Sequence, residues 1–284
     1  MPRPEDCPLV TAHGMSIPAI GIGTFMSLGQ QCVDSVAHAL KVGYRHIDTA
    51  RFYGNEVECG EGLRASGVAR DHVFVTTKAL HGAEWSNPAV NRMLPATEES
   101  LKRLKLDYVD LLVIHWPNPA TPIKDTIADL CEAKRRGLTR NIGISNFTLA
   151  MVDEAQRHAT EPLAYMQNEY HPYLDQTKLR AKAAQYDMAW ASYCPIGKGA
   201  AFEEPVIVKI AKAHGKTSAQ IVLRWQIQQP KTIAVPKSVT PSRIEENFNI
   251  FDFVLSAAEM AEISALKRPN ARIVSPPFAP KWDD

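Results

Sequence analysis

Residues 44–78 read YRHIDTARFYGNEVECGEGLRASGVARDHVFVTTK, and the alternation inside this stretch decides the fold. An apolar-flanked segment, 44–48, ends on Asp48, and Tyr53 follows in a short polar linker. An amphipathic segment runs from about Asn55 to Ser66, with Gly67 behind it. A second strand-like run, 73–77, ends at Lys78, and a third, Val109–Ile114, ends at His115. An ionisable residue thus recurs at the C-terminal tip of successive strand-like runs. In a parallel barrel those tips converge on one mouth, where catalytic groups gather.

The same alternation extends outward. Residues 9–18, LVTAHGMSIP, read as a hairpin turning at His13-Gly14, and 19–23 as the first barrel strand. Segment 30–42 places Cys32, Val33, Val36, Ala37 and Leu40 at a helical period, and Gly43 stops it. Further strands are predicted at 141–145, 164–169, 188–193 and 232–235, and helices at 90–104, 123–136, 149–158, 176–185, 205–214 and 218–228. A helix over 241–248 is opened by Pro241, and another over 256–266 is capped by Ser256 with Glu259 at capping-box spacing. The tail from Lys267 carries four prolines and no period. Eight strands alternating with eight or more helices, without a linker, predict one domain over 1–284. Its class is α/β: a closed (β/α)8 TIM barrel with an N-terminal β-hairpin cap and extra C-terminal helices. An open doubly wound sheet is the competing architecture. The GIG at 21–23 lacks the full Gly-x-Gly-x-x-Gly pattern and an acidic residue after a second strand, so it reads as structural glycine.

Composition narrows the function classes. A net charge of +1 gives no bulk attraction to nucleic acid or an acidic membrane. The cysteines, at 7, 32, 59, 131 and 194, are odd in number and scattered, which argues against a disulfide framework and against a clustered metal site. A reducing compartment is the default. The opening MPRPEDCPLV has no basic-then-apolar leader pattern, and no apolar run approaches membrane-spanning length. The expectation is a cytoplasmic protein that uses no metal and binds neither nucleic acid nor membrane. No helical stripe predicts a dimer, so a monomer is expected.

Taken singly, the tip residues are unremarkable. Asp48 is a cap or loop anchor, Tyr53 a packed ring, Lys78 a solvated amine and His115 a satisfied core histidine. Convergence changes their meaning, because neighbouring barrel strands bring all four to one mouth. Reducing a carbonyl needs hydride at carbon and a proton at the developing oxyanion. A phenol with an ordinary pKa of about 10 is a weak acid at neutrality. A nearby lysinium would lower that value by stabilising the phenolate. Asp48 can hold Lys78 charged, and His115 can hydrogen-bond the substrate oxygen and align the carbonyl.

The stretches GYRHIDTARFYGNE, VFVTTK, DYVDLLVIHWP, IGISNF, QNEYHPY, SYCPIGKG and VPKSVTPSRIEEN run in order through most of the chain. Together they resemble the aldo-keto reductases. The resemblance implies a catalytic tetrad of Asp48, Tyr53, Lys78 and His115, with Tyr53 the proton donor, Lys78 its modulator, Asp48 the support of Lys78 and His115 the orienting group. It implies NADPH/NADP+ as cofactor. Ser145, Asn146 and Gln167 would hold the nicotinamide amide, and Tyr193 would stack on the ring. Lys237, Ser238 and Arg243 would embrace the 2′-phosphate, with Thr240 nearby and Glu246 and Asn247 at the adenosine end. From the residues alone, Lys237, Ser238 and Arg243 already supply two cations and a hydroxyl beside a helix start, where barrels often bind phosphate.

In the family, substrate-side walls come from loops and the C-terminal tail. Here Phe25, Trp85 and Trp116 are the candidate aromatic lining. The compact loops and the closing RIVSPPFAPKWDD resemble the bacterial branch that reduces 2,5-diketo-D-gluconate, methylglyoxal and other small ketoaldehydes. Two other classes stay open: an NADPH-binding redox-sensing regulator with little turnover, and a phosphate-binding barrel lyase or isomerase.

Overall fold

A computed structural model describes residues 2–80 and 92–283. The chain opens with the expected hairpin, β1 (Leu9–Ala12) and β2 (Met15–Pro18), paired antiparallel with Ala12 opposite Met15. His13 and Gly14 both take positive φ, 48° and 80°, the conformation a two-residue hairpin turn requires. His13 Nε2 lies 2.9 Å from the Tyr186 carbonyl, and Ala19 N donates to Pro8 O at 2.8 Å. The hairpin therefore covers the end of the barrel where strands begin.

Eight strands then pair in chain order. They are β3 (Ile22–Gly23), β4 (His46–Asp48), β5 (Phe74–Ala79), β6 (Val109–Ile114), β7 (Thr139–Ser145), β8 (Leu163–Glu169), β9 (Ala189–Tyr193) and β10 (Thr232–Ala234). Every pairing is parallel. Closure comes from the first and last strands. Gly21 N donates to Ala234 O, Ala234 N to Ala19 O, and Gly23 N to Pro236 O, each at 2.9 Å. A ring of hydrogen bonds excludes the open doubly wound sheet. Strands β6 and β8 are buried at every residue, as expected where helices cover one face and the barrel core fills the other.

The covering helices are α1 (Gly29–Val42), α2 (Glu56–Ser66), α3 (Met93–Leu104), α4 (Ile123–Arg135), α5 (Leu149–His158), α6 (Thr177–Gln185), α7 (Pro205–His214), α8 (Ser218–Ile227), α9 (Pro241–Phe248) and α10 (Ala257–Ser264). Two of them, α7 and α8, separate β9 from β10. α10 is held to α7 by His214 Nε2 and Glu259 Oε1, 2.8 Å apart. The capping box at Ser256 and Glu259 is present as the spacing predicted.

Where boundaries differ from the sequence reading, the causes are local. β5 runs on through Lys78 to Ala79, because both pair with β6 at Val113 and Ile114. β3 is short, since Ile20 and Gly21 pair across the seam with Ala234 and not with β4, and Gly21 abuts a buried imidazole: a Cβ there would lie 2.4 Å from His46 Nδ1. β10 stops at Ala234, ahead of Pro236, which has no N–H to donate.

Candidate active site

Register sets the site's geometry. Asp48 on β4 is level with Thr76 on β5, so Lys78 stands two residues further along the same face. Lys78 is level with Val113 on β6, and His115 is two residues beyond that. Three strand ends thus rise in steps around one mouth, as the sequence predicted. Tyr53 enters from a 3-10 turn, Arg51–Tyr53, which Gly54 ends at φ 67°. Buried Asn55 then ties this turn to its neighbour. Its Nδ2 donates to Thr24 O at 2.7 Å and Ser27 O at 2.8 Å, and its Oδ1 accepts from Thr49 Oγ1 at 3.0 Å. That tie brings the Phe25 ring to 5.1 Å from the Tyr53 ring.

Lys78 is 0% exposed. Its Nζ donates to Asp48 Oδ1 at 2.5 Å, to Thr49 O at 2.8 Å and to Tyr53 Oη at 3.5 Å. Burial pulls the ammonium below the ordinary lysine range, and Asp48 opposes that fall. The other carboxylate oxygen of Asp48 accepts from Gln167 Nε2 at 2.9 Å. For Tyr53 the outcome differs from the sequence expectation. Burial, reinforced by Asp48 and Cys194, holds the phenol well above its ordinary value. The Lys78 ammonium is turned first toward Asp48 and the Thr49 carbonyl, so it does not offset burial. The phenol therefore stays protonated through neutrality, as a proton donor must.

His115 completes the mouth, its ring 5.5 Å from that of Tyr53 and nearly perpendicular to it. Burial first, then Lys78, pushes the imidazole well below its ordinary value, so it is neutral. Its Nδ1 is buried and has no hydrogen-bond partner among the described residues. A neutral imidazole can give one N–H to a carbonyl oxygen.

Next to these groups a polar seam joins five strand ends. Asn146, at φ 63°, donates from Nδ2 to His115 O at 2.8 Å and to Ser145 Oγ at 3.0 Å. Its Oδ1 accepts from Tyr193 Oη at 2.8 Å. Gln167 gives both amide hydrogens, one to Asp48 and one to Tyr165 Oη at 2.8 Å. Both side chains keep acceptor capacity at a carbonyl oxygen, which suits the N–H of a carboxamide. Ser145 is 0% exposed and supports Asn146 rather than lining the cleft.

One cleft of about 1130 Å³ runs from Tyr53 and His115, past Tyr193, to Lys237 and Arg243. Ser238, Thr240, Glu246 and Asn247 line its far end beside the start of α9. Ser238 Oγ accepts from Thr240 N at 3.2 Å, which shapes that turn. Among the described residues neither Lys237 nor Arg243 is in an ion pair. Two unpaired cations, a hydroxyl and a helix N-terminus make a donor set that fits a phosphate monoester. Glu246 differs from expectation in one respect: its Oε1 accepts from Thr217 Oγ1 at 2.7 Å, linking α9 to α8.

On the substrate side, Phe25 is half exposed and Trp116 is buried, both lining the cleft. Trp85 lies outside the described residues. Sequence reasoning missed Phe52, which lines the cleft with its ring 6.2 Å from that of His115. The resemblance implied a wall from the tail without naming its residues; 273–276 and Phe278 form it. Phe278 and Trp282 stand edge-on to Trp116, with centroids 5.5 and 6.0 Å away. The signal was available: apolar side chains in a segment without regular structure must cover something. Among the described residues no group of three His, Cys, Asp or Glu side chains is placed to hold a metal. Nor is any described helix long and apolar enough to cross a membrane.

Comparison with known proteins agrees with this geometry. The Aldo/keto reductase family matches residues 19–268. Methylglyoxal reductase DkgB of Yersinia pestis is 41% identical over 274 residues, covering 95% of this chain and all of that protein. A solved structure named as a candidate 2,5-diketo-D-gluconic acid reductase B superposes with a TM-score of 0.92 at 43% identity, over 98% of each chain. A Bombyx mori aldo-keto reductase in complex with NADP superposes with a TM-score of 0.83 at 30% identity, over 92% of this chain and 93% of that one. The chain belongs to the aldo/keto reductase family. It is an NADPH-dependent enzyme that reduces carbonyl groups.

Proposed function

We propose that the enzyme reduces small aldehydes and ketoaldehydes, methylglyoxal and 2,5-diketo-D-gluconate among them, with Tyr53 as proton donor. The observation that carries the role of Tyr53 is its hydroxyl, held protonated beside a fully buried Lys78–Asp48 pair at the floor of the cleft. When bound, NADPH supplies the hydride. Asn146 and Gln167 hold a carboxamide through their carbonyl oxygens, with Ser145 bracing Asn146 and Tyr193 presenting a ring face. Lys237, Ser238 and Arg243 hold the 2′-phosphate, Thr240 shapes their turn, and Glu246 and Asn247 border the adenosine end.

His115 orients the carbonyl toward Tyr53 by one N–H. As negative charge grows on that oxygen, Tyr53 gives up its proton, and Lys78 stabilises the phenolate left behind. Asp48 keeps Lys78 in place and charged. Phe25, Phe52 and Trp116 exclude water around the reacting centre. The small-ketoaldehyde assignment is supported by the similarity to methylglyoxal reductase DkgB and by the short connection between Tyr193 and Pro205. The protein acts as one barrel domain and as a monomer, which light scattering checks.

The test follows NADPH absorbance with methylglyoxal and with 2,5-diketogluconate for the native enzyme and Tyr53→Phe. Among the described residues Tyr53 Oη makes one long bond, at 3.5 Å, so its removal should leave the fold and NADPH affinity nearly unchanged. Turnover should fall by about 100-fold to 10,000-fold, the range a positioned general acid contributes. Near-native turnover would remove Tyr53 from its role, and no NADPH consumption across a broad carbonyl panel would favour a sensing protein instead.

A further inference from the structure

The mechanism above makes no use of a fully buried carboxylate at the cleft mouth. Glu169, the last residue of β8, is 0% exposed. It stands two residues beyond Gln167 on the same face and level with Tyr193. Two of its partners come from the tail. Oε1 accepts from the backbone N–H of Ile273 at 2.6 Å, and Oε2 from that of Val274 at 2.7 Å. His171 Nε2 lies 3.0 Å from Oε1. Two adjacent backbone N–H groups on the two oxygens of one carboxylate form a fork, with each bond strengthened by the charge.

The tail has no regular structure of its own, so its anchors decide where it lies. Besides Glu169 these include Tyr173, whose carbonyl accepts from Arg268 N at 2.9 Å, the Trp116 ring against Phe278 and Trp282, and Asp283 Oδ2, which accepts from Leu149 N at the start of α5 at 2.7 Å. Ile273, Val274 and Phe278 belong to the cleft wall that faces Trp116. Glu169 grips the wall at its entry, on the strand whose Gln167 also holds Asp48.

We infer that Glu169 is a positioning residue for substrate selection: its carboxylate seats residues 273–278 as the apolar wall against which a bulky carbonyl substrate is held. The inference rests on the carbonyl site proposed at Tyr53. A ketoaldehyde as small as methylglyoxal needs little of this wall, whereas an aromatic aldehyde packs against it. The wall acts on binding and not on the proton or hydride, so its loss appears mainly in KM.

The experiment compares the NADPH-loaded native enzyme with two variants. Glu169→Gln keeps the volume but turns one acceptor into a donor facing an N–H. Glu169→Ala removes both acceptors and leaves every side chain and amide of the wall in place. For each, kcat and KM are measured with methylglyoxal and with benzaldehyde, together with NADPH affinity and amide hydrogen exchange over 270–283. Expected are an exchange rate at residues 273–274 raised about 10-fold or more, a KM for benzaldehyde raised about 5-fold or more, and a methylglyoxal KM and NADPH affinity that move less than about 2-fold. Equal losses on both substrates, or freed amides with an unchanged selectivity ratio, would overturn the inference. If the native enzyme reduces neither compound, the carbonyl-site reading fails instead, and hydrogen exchange still reports whether the fork exists.

Discussion

Replacing Lys78 with methionine keeps most of the reach of the side chain and removes its charge. In the native protein the ammonium is fully buried, 2.5 Å from an Asp48 carboxylate that is itself nearly buried. Removing one partner of a buried pair leaves the other charge uncompensated, at a cost of about 3–5 kcal/mol. The lower end applies here, since Asp48 keeps the Gln167 bond at 2.9 Å. An unfolding entropy of about 2.1 cal/mol/K per residue gives roughly 0.6 kcal/mol/K for the 284-residue chain, so about 3 kcal/mol corresponds to a Tm lower by about 5 °C. Turnover should fall about 100-fold or more, because the phenolate left by Tyr53 loses its counter-charge. Thermal unfolding followed by circular dichroism gives the first quantity and NADPH consumption the second. The pair is tested as a pair by Asp48→Asn combined with Lys78→Met. With neither charge stranded, the double variant should be more stable than the sum of the single losses predicts. Additive losses, or a Lys78→Met protein with native Tm and turnover, would refute the reasoning.

Neutralising Lys237 and Arg243 to alanine should raise KM for NADPH about 10-fold or more, while KM for NADH changes far less; equal effects on both cofactors would sink the phosphate assignment. Buried His46 carries an imidazole pushed down to about 4, chiefly by burial. The unfolded chain takes that proton first, so stability present above pH 6.5 is lost as pH falls toward 4, by about 3 kcal/mol. Urea unfolding at several pH values should show this slope, and His46→Asn should flatten it. Gly60 on α2 meets the Leu104 backbone carbonyl so closely that a Cβ would lie 2.2 Å from its oxygen. Gly60→Ala should therefore cost about 1–3 kcal/mol in the same unfolding assay, since backbone cannot yield as a side chain does.

Much of the barrel was legible because strand and helix periods differ, and residues 44–78 carry both in quick succession. The convergence of Asp48, Lys78 and His115 followed from parallel strand order alone. Less legible was anything decided by burial acting against charge. Sequence places a cation beside Tyr53 and suggests a lowered phenol pKa, but the depth of the site and the grip of Asp48 on Lys78 reverse the direction. The lining was hidden for another reason. Apolar side chains in the proline-rich tail show that it covers something, but not where: Ile273 and Val274 are placed at the cleft by backbone bonds to Glu169, and Phe278 by its ring against Trp116. Phe52 stood beside Tyr53 throughout, yet only the 3-10 turn shows that both neighbours reach the mouth.

The seam between β3 and β10 also bears on how the protein is made. Gly21 and Ala234, which close the ring, are more than 200 positions apart in the chain. At about 5–20 residues per second, a ribosome leaves the first strand with an unpaired edge for roughly 10–40 s before its partner emerges. That edge is a place where a nascent chain can pair wrongly. The first strand limits the hazard by its own brevity, with two residues in regular pairing. The early hairpin pairs its own strands, which shields part of the N-terminal segment while synthesis continues. Assembly of the reducing site thus waits for ring closure, since the far wall of its cofactor cleft, Lys237 to Asn247, follows the closing strand.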